Sequence, residues 1–283
     1  MTLHCASWLG SVIAAAALAT LGCTAAHAQD QGQDQGQVHA STDVDELARR
    51  VSNPASFMIS VPVHSELSIG GDDTGNSQHY LVDVEPVLPF RLTPNWNLIS
   101  HTDFPLAYAD PAGPRGGVFG LGDINQTISF TPAGHKGFIW AVGPQVSLPT
   151  ATSSKLGSGK LSMGPSILLL RQSATMTFGL SADHLWSIAG KDDREDISAT
   201  EVQPFVAWHI GQGRTISTNV DVGYDWKHKQ WELPVSLSYS KVLKIGEQAL
   251  SMSIGGKYWL ESPTGGSDFG LRIGAVLLFP QKR

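Results

Sequence analysis

The chain has 283 residues, a formal net charge of −6, and only 16% charged residues against 41% hydrophobic ones. The acidic balance excludes ordinary nucleic-acid binding, which needs a basic surface. Charge content lies below the roughly 25% usual for soluble domains, and after the N-terminus no run approaches the ~20 apolar residues of a spanning helix. Any membrane crossing must therefore be made by strands, in which alternation dilutes the apolar residues; a soluble all-β sandwich meets the same bulk numbers.

Met1 to Ala28 reads as a secretory signal peptide: an apolar stretch from Trp8 to Leu21, then Ala26-His27-Ala28 as the small-x-small cleavage pattern. It lacks the usual basic residues at its start. Leu21-Gly22-Cys23 resembles a lipidation site, with Thr20 where a Leu is expected. Both cysteines, Cys5 and Cys23, fall in this segment, so the mature chain is expected to carry no disulfide, cysteine metal site or thiol nucleophile. Gln29 to Ala40 is polar and of low complexity. Ser41 to Val51 predicts a helix, with Ser41 or Thr42 as cap, Asp43 and Asp45 at its start and Arg49 and Arg50 at its end. That helix is either a short surface element or a periplasmic, lumen-plugging one. Residues 29–54 together form a linker and helix ahead of a single 55–283 domain.

From Ala55 onward twelve strand-like segments follow, at 56–68, 79–91, 95–108, 119–131, 137–149, 160–171, 174–186, 197–210, 214–226, 231–242, 247–260 and 267–279. Several alternate cleanly: Ile216, Val220, Val222, Tyr224 and Trp226 oppose Ser217, Asn219, Asp221 and Asp225. Pro86 and Pro89 interrupt the second segment, and Leu168 to Leu170 are apolar on both faces of the sixth. Connections such as GGDDTGNSQ, TPN, ADPAGPRGGV, PAGHK and TATSSKLGSG alternate long and short, as outer-membrane barrels do and sandwiches have no reason to do. Trp96, Phe104, Trp140, Trp186, Trp208, Trp226, Trp231, Tyr239 and Tyr258, with Phe57 and Phe90, suit interfacial girdles.

In the last segment Phe269, Leu271, Ile273, Ala275, Leu277 and Phe279 share one face. Within it, Arg272, Gly274, Leu277 and Phe279 resemble the C-terminal signal read by the barrel-insertion machinery. An all-β, up-and-down antiparallel barrel of twelve strands follows, in which this strand closes on the first around Phe57 to Val63.

Motifs along the chain extend the comparison. Val51-Ser52-Asn53-Pro54-Ala55, Trp96-Asn97-Leu98-Ile99-Ser100, Gly120-Leu121-Gly122-Asp123 and Leu148-Pro149-Thr150-Ala151-Thr152 are among them. So are Gly143-Pro144, Gly164-Pro165, Leu156-Gly157-Ser158-Gly159-Lys160, His184-Leu185-Trp186-Ser187, Tyr224-Asp225-Trp226 and Tyr258-Trp259 with Glu261-Ser262-Pro263. As a set, from Leu47 to Pro280, they resemble a family of outer-membrane barrels assigned to the MetA pathway of phenol degradation and grouped with generic transporters. The resemblance implies a Gram-negative outer-membrane location, a barrel and a transport role, with aromatic compounds as the associated chemistry. It supplies no catalytic motif.

If the apolar face meets lipid, the other face lines a lumen. It carries Asp83, Glu85, Arg91, His101, Asp103, Asp123, Asp183, Glu201, Asp221, Asp225, Glu232, Lys257 and Arg272, beside His64, Glu66, Asn125, Gln203 and His209. Acids outnumber bases, a field that favours cations; pairing across a narrow interior is the simpler account of the same residues. No cofactor is implied. His64, His101, His184 and His209 lack metal-ligand spacing, and Gly120-x-Gly122 has no helix after it to make a phosphate loop, so Gly122-Asp123 reads as a bulge or close packing. The expected function is passive passage of small, hydrophobic or aromatic molecules, with the lipid bilayer and lipopolysaccharide as surroundings. Two other classes stay open. One is a lipid hydrolase using His184 with nearby Ser181 or Ser187. The other is a structural or adhesive barrel presenting the charged 187–196 loop.

Overall fold

The computed structural model describes residues 43–70, 78–110, 117–134, 137–263 and 266–279. The expected signal peptide, the low-complexity linker and the tail from Pro280 lie outside the described residues. A helix over 43–51 comes first, and every later regular element is a strand. They are β1 (Ile59–Ile69), β2 (Gln78–Val84), β3 (Val87–Thr93), β4 (Trp96–Asp110), β5 (Val118–Leu121), β6 (Ile124–Pro132), β7 (Phe138–Leu148) and β8 (Lys160–Gln172). Then come β9 (Met176–Gly190), β10 (Ser198–His209), β11 (Arg214–Val220), β12 (Val222–Asp225), β13 (Gln230–Glu232), β14 (Pro234–Ile245), β15 (Gln248–Trp259) and β16 (Phe269–Phe279).

All pairings are antiparallel, and they form one sheet that closes when β16 returns to β1, from Ile59 opposite Phe279 to Ile69 opposite Phe269. Closure leaves no unpaired edge. Four wall strands are each broken once: at Glu85-Pro86 between β2 and β3, Gly122-Asp123 between β5 and β6, Asp221 between β11 and β12, and Leu233 between β13 and β14. With those breaks bridged, the wall is a closed twelve-strand barrel.

The breaks follow from backbone chemistry. Pro62 and Pro86 cannot donate to the ladder. The pairing lapses there, and Glu85 N bonds to Pro62 O while Thr102 N bonds to Pro86 O. At the second break Gly122 N turns to Pro105 O.

Outward and inward faces separate as period two requires. Leu67, Ile69, Tyr80, Phe90, Phe130, Phe178, Leu180, Leu237, Ile254, Leu271 and Ile273 are large, apolar and exposed. An exposed apolar belt running round the whole wall has no place in water, and is the surface a bilayer covers. Trp96 and Trp140 pack edge to face, as do Tyr224 and Trp226, near strand ends where the girdle residues were expected. Phe57 differs: its ring lies 5.5 Å below the Arg91 guanidinium at the barrel end that carries the chain termini. Short turns gather at that terminal end and longer loops at the other, although the β12–β13 connection (226–229) is as short as a turn.

Candidate functional site

The lumen has three levels, each built by a different device. At the terminal end the inward residues of β14 to β16 are apolar, and the helix covers them. Val44, Leu47, Ala48 and Val51 recur at the i, i+3, i+4, i+7 spacing of one helical face. Leu47 and Ala48 are 3% and 4% exposed, packed in one cluster with Met58, Val242, Ala249, Val276 and Leu278. Polar contacts fix the two ends of the helix. Asp45 Oδ1 accepts the Gly213 N–H, Gln172 Nε2 donates to the Arg49 carbonyl at 2.7 Å, and Lys244 pairs with Asp43. The helix therefore spans the mouth from β8 and β11 to β14 and β16. Glu46 pairs with Arg49 and Arg50 at 2.7 and 3.0 Å. Burial pushes its carboxyl up, and the two guanidiniums outweigh that to hold it below the usual carboxylate range. Of the two sequence readings of this segment, the surface helix is corrected: its apolar stripe is consumed inside the barrel mouth.

The middle level is polar, and it divides into two sides. On β15, β16 and β1 to β4, acids and bases interleave: Lys257 Nζ lies 2.9 Å from Glu66 Oε2 with both side chains largely buried, and Glu85 faces His101 at 3.4 Å and Arg272 at 3.8 Å. Asp83 and Asp103 stand in the same group, and Asn125 donates to Asp103. On β9 to β13 the wall is acidic without an adjoining cation of its own. Asp183 sits opposite Glu201, Glu201 opposite Gly223, and Gly223 opposite Glu232, so these carboxylates share one band. Asp221 joins it through Gln203 Nε2 and through Asn219 Nδ2 at 2.7 Å. Lys257 is the cation within electrostatic reach of Glu201. Glu201 remains exposed although the wall surrounds it, which requires water-sized space in the lumen at this height. Serines 217, 236, 238, 240, 251 and 253 give the lower wall short hydroxyl side chains that leave room around the axis.

At the loop end, residues 149–159 fold against the break in the wall. Gly120 and Gly122 point inward; a β-carbon on Gly120 would run into Thr152 of this loop, and one on Gly122 would press on Pro105 and the Leu156 carbonyl. Thr152 N bonds to Leu121 O at 2.9 Å and Ile124 N to Thr150 Oγ1 at 2.9 Å. Asp123 is the hub: its carboxylate accepts Ala151 N at 3.1 Å, Ser158 N at 2.6 Å and Ser158 Oγ at 2.7 Å. Arg194 from the next loop donates to the Ser158 and Gly157 carbonyls at 2.9 and 2.6 Å, and Lys160 meets Asp196 at 3.0 Å. The Lys160 hydrogen bond, with Ser187, keeps Asp196 below its ordinary pKa.

The remaining expected residues occupy the rims. Arg91 lies at the terminal end over Phe57, His209 bonds Thr177 there at 2.9 Å, and Asp225 accepts His228 Nδ1 at 2.7 Å at the loop end. The expected neighbours of His184 are corrected. His184 faces outward, whereas Ser181 and Ser187, each three residues away, have the opposite parity and face inward. Its partners come from β10: Thr200 Oγ1 at 2.7 Å from Nδ1 and Ser198 Oγ at 3.5 Å from Nε2. Trp226 Nε1 donates to that same Thr200 oxygen at 2.8 Å.

Comparison with solved structures follows this geometry. The chain superposes on the COG4313 outer membrane channel from Pseudomonas putida F1 with a TM-score of 0.64 at 13% identity, over 80% of this chain and 99% of that one. The fold is an outer-membrane-type β-barrel. The NanC porin gives a TM-score of 0.52 at 11% identity, covering 77% of this chain and 98% of that porin. No family model and no curated protein matches the sequence, so the likeness to the phenol-pathway barrels rests on the motifs alone.

The parity of the carboxylates was legible from the strands, but three features were not. The helix in the mouth, the Asp123 clasp and the pairing of Trp259 with Glu232, whose Oε1 accepts Trp259 Nε1 at 2.9 Å, depend on contacts between distant segments. Only Gly120 and Gly122 gave a local hint, as positions where something lies close.

Proposed function

We propose that the chain is an outer-membrane channel through which small molecules diffuse passively, with the helix end in the periplasm and the loop end outside. The observation that carries this reading is the acidic band of Asp183, Glu201, Asp221 and Glu232 around an accessible interior. Carboxylates fixed on a low-dielectric wall concentrate cations and repel anions. Fold likeness to channel and porin barrels is consistent with it. The motif resemblance adds aromatic compounds to the candidate cargo, and an aromatic solute with a positive group would satisfy both the resemblance and the field.

Passage is limited at both ends, by the 43–51 helix in the periplasmic mouth and by the 149–159 loop in the external one. The lipid-hydrolase alternative loses its expected pair, since Ser181 and Ser187 stand on the opposite face of β9 from His184. Planar-bilayer recording of the purified protein tests the proposal. Discrete conductance steps with cation preference are expected, and a barrel giving neither steps nor solute uptake in liposomes would overturn it.

A further inference from the structure

Where β9, β10 and β12 reach the loop end, an open cleft of about 370 Å³ is lined by Trp186, Ser198 and Trp226 on the outward face, with Ser187, Asp196, Ile197 and Lys227 beside them at the rim. Trp186 and Trp226 are 49% and 55% exposed, yet neither ring is free to turn. Trp186 packs against His184 with the rings tilted at 46° and centroids 4.1 Å apart, and Trp226 is held by its bond to Thr200 and by the Tyr224 ring at 4.8 Å. An ordinary girdle tryptophan points its N–H toward the headgroups. Here the Trp226 N–H is spent inside the wall, and the indole faces are presented instead.

Between those faces stand a hydroxyl, a carboxylate and an ammonium. Ser198 Oγ contacts no side chain nearer than His184 Nε2 at 3.5 Å. Asp196 is positioned by Lys160 and by Ser187 Oγ at 3.2 Å, with most of its carboxylate still open. Lys227 makes no ion pair among the described residues, while its neighbour His228 is held between Asp225 and Glu195. Flat aromatic faces against the C–H face of a sugar ring, hydroxyl and carboxylate groups for its polar edge, and one unpaired cation for a phosphate form a saccharide-phosphate set.

We infer that this cavity seats the phosphorylated glucosamine headgroup of lipopolysaccharide. Place on the wall selects the occupant: Trp186, and Ser198 opposite it on β10, have the same outward parity as the lipid-facing Phe178 and Leu180 of β9, at the end of the barrel where the long loops emerge. A lipid in the bilayer leaflet at that height presents its headgroup there. The inference needs the outer-membrane orientation of the proposed function but not its transport activity, so a barrel that fails to conduct could still hold the lipid.

The test uses the full barrel in nanodiscs of phosphatidylcholine doped with diphosphorylated lipid A, or with phosphatidylglycerol at equal negative charge. Lipid retained after detergent exchange is counted by native mass spectrometry. Lipid A is expected to be retained over phosphatidylglycerol by at least about tenfold, a preference lost in Lys227→Glu and reduced in Trp226→Leu and Ser198→Ala. Heat-modifiable gel migration identifies variants that have closed their barrels. Equal retention of both lipids, or a preference unchanged in folded Lys227→Glu, would overturn the assignment. So would competition by free glucosamine 1-phosphate as effective as lipid A, since the site would then belong to a solute.

Discussion

Asp45 on the N-terminal helix accepts the backbone N–H of Gly213, 168 positions away in the β10–β11 turn. Gly213 lies beside Val242 of the Leu47 cluster, whose N–H bonds to the Gly213 carbonyl at 2.8 Å, while Gln172 on β8 donates to the Arg49 carbonyl, so the helix is held at both ends. Gly213 has φ of +70°, a left-handed conformation that frees its N–H to face inward, and a β-carbon there would press on Val44. Deleting residues 43–51, or combining Asp45→Ala with Leu47→Asp, is expected to raise single-channel conductance while heat-modifiable migration persists. A charge forced into a site this buried costs several kcal/mol against docking. Unchanged conductance in both variants would show that the helix does not limit flow.

Selectivity should follow the acidic band. Reversal potentials in a KCl gradient are expected to give K⁺ preference, because Asp183, Glu201 and Asp221 lie on one wall with Lys257 as the cation near Glu201. Neutralising them together as Asp183→Asn, Glu201→Gln and Asp221→Asn should cut the cation-to-anion permeability ratio by at least about twofold. Increasing salt should shrink the difference, since exposed charges are screened within about 8 Å at physiological ionic strength.

The external clasp has its own signature. Asp123→Ala leaves Ala151 N, Ser158 N and Ser158 Oγ without their acceptor, and a hydrogen bond to a charged group is worth about 1.5–3 kcal/mol. Limited proteolysis is expected to cut the 149–159 loop in this variant and spare it in the parent, with the wall itself intact. Gly120→Val should do the same by a different route, pushing the loop off the inner wall through contact with Thr152.

Much of this architecture was written locally. Twelve segments and their two faces follow from period-two alternation, which is fixed within each strand, and closure of β16 on β1 follows from the absence of any place for an edge. The breaks at Pro86 and Gly122 were visible as residues that interrupt pairing. Alternation also sent Asp183, Glu201 and Asp221 to one face. What it cannot encode is which inward groups meet across the interior. Whether Ser41 to Val51 lies on the surface or in the mouth depends on the apolar inward ends of β14, β15 and β16, some 200 residues later. His184 shows the same limit: its sequence neighbours Ser181 and Ser187 point away from it, and its partners Ser198 and Thr200 arrive through strand register.

The last expectation concerns pH. His228 bridges two segments, with Nδ1 at 2.7 Å from Asp225 at the end of β12 and Nε2 at 3.0 Å from Glu195 in the 191–197 loop. The Asp225 carboxylate, and then Glu195, raise its pKa above the ordinary value of about 6.5. A histidine with a raised folded pKa binds its proton more tightly folded than unfolded. Its contribution is therefore full below the unfolded value and disappears as pH rises through the folded one. Amide exchange in residues 191–197 should accordingly quicken as pH is raised through that window, beyond the base-catalysed trend seen in the same residues of His228→Asn. His228 and Glu195 are both well exposed, so the effect is confined to the loop and the melting temperature of the barrel should not move. Parallel exchange profiles in parent and variant would show that the bridge does not order the loop.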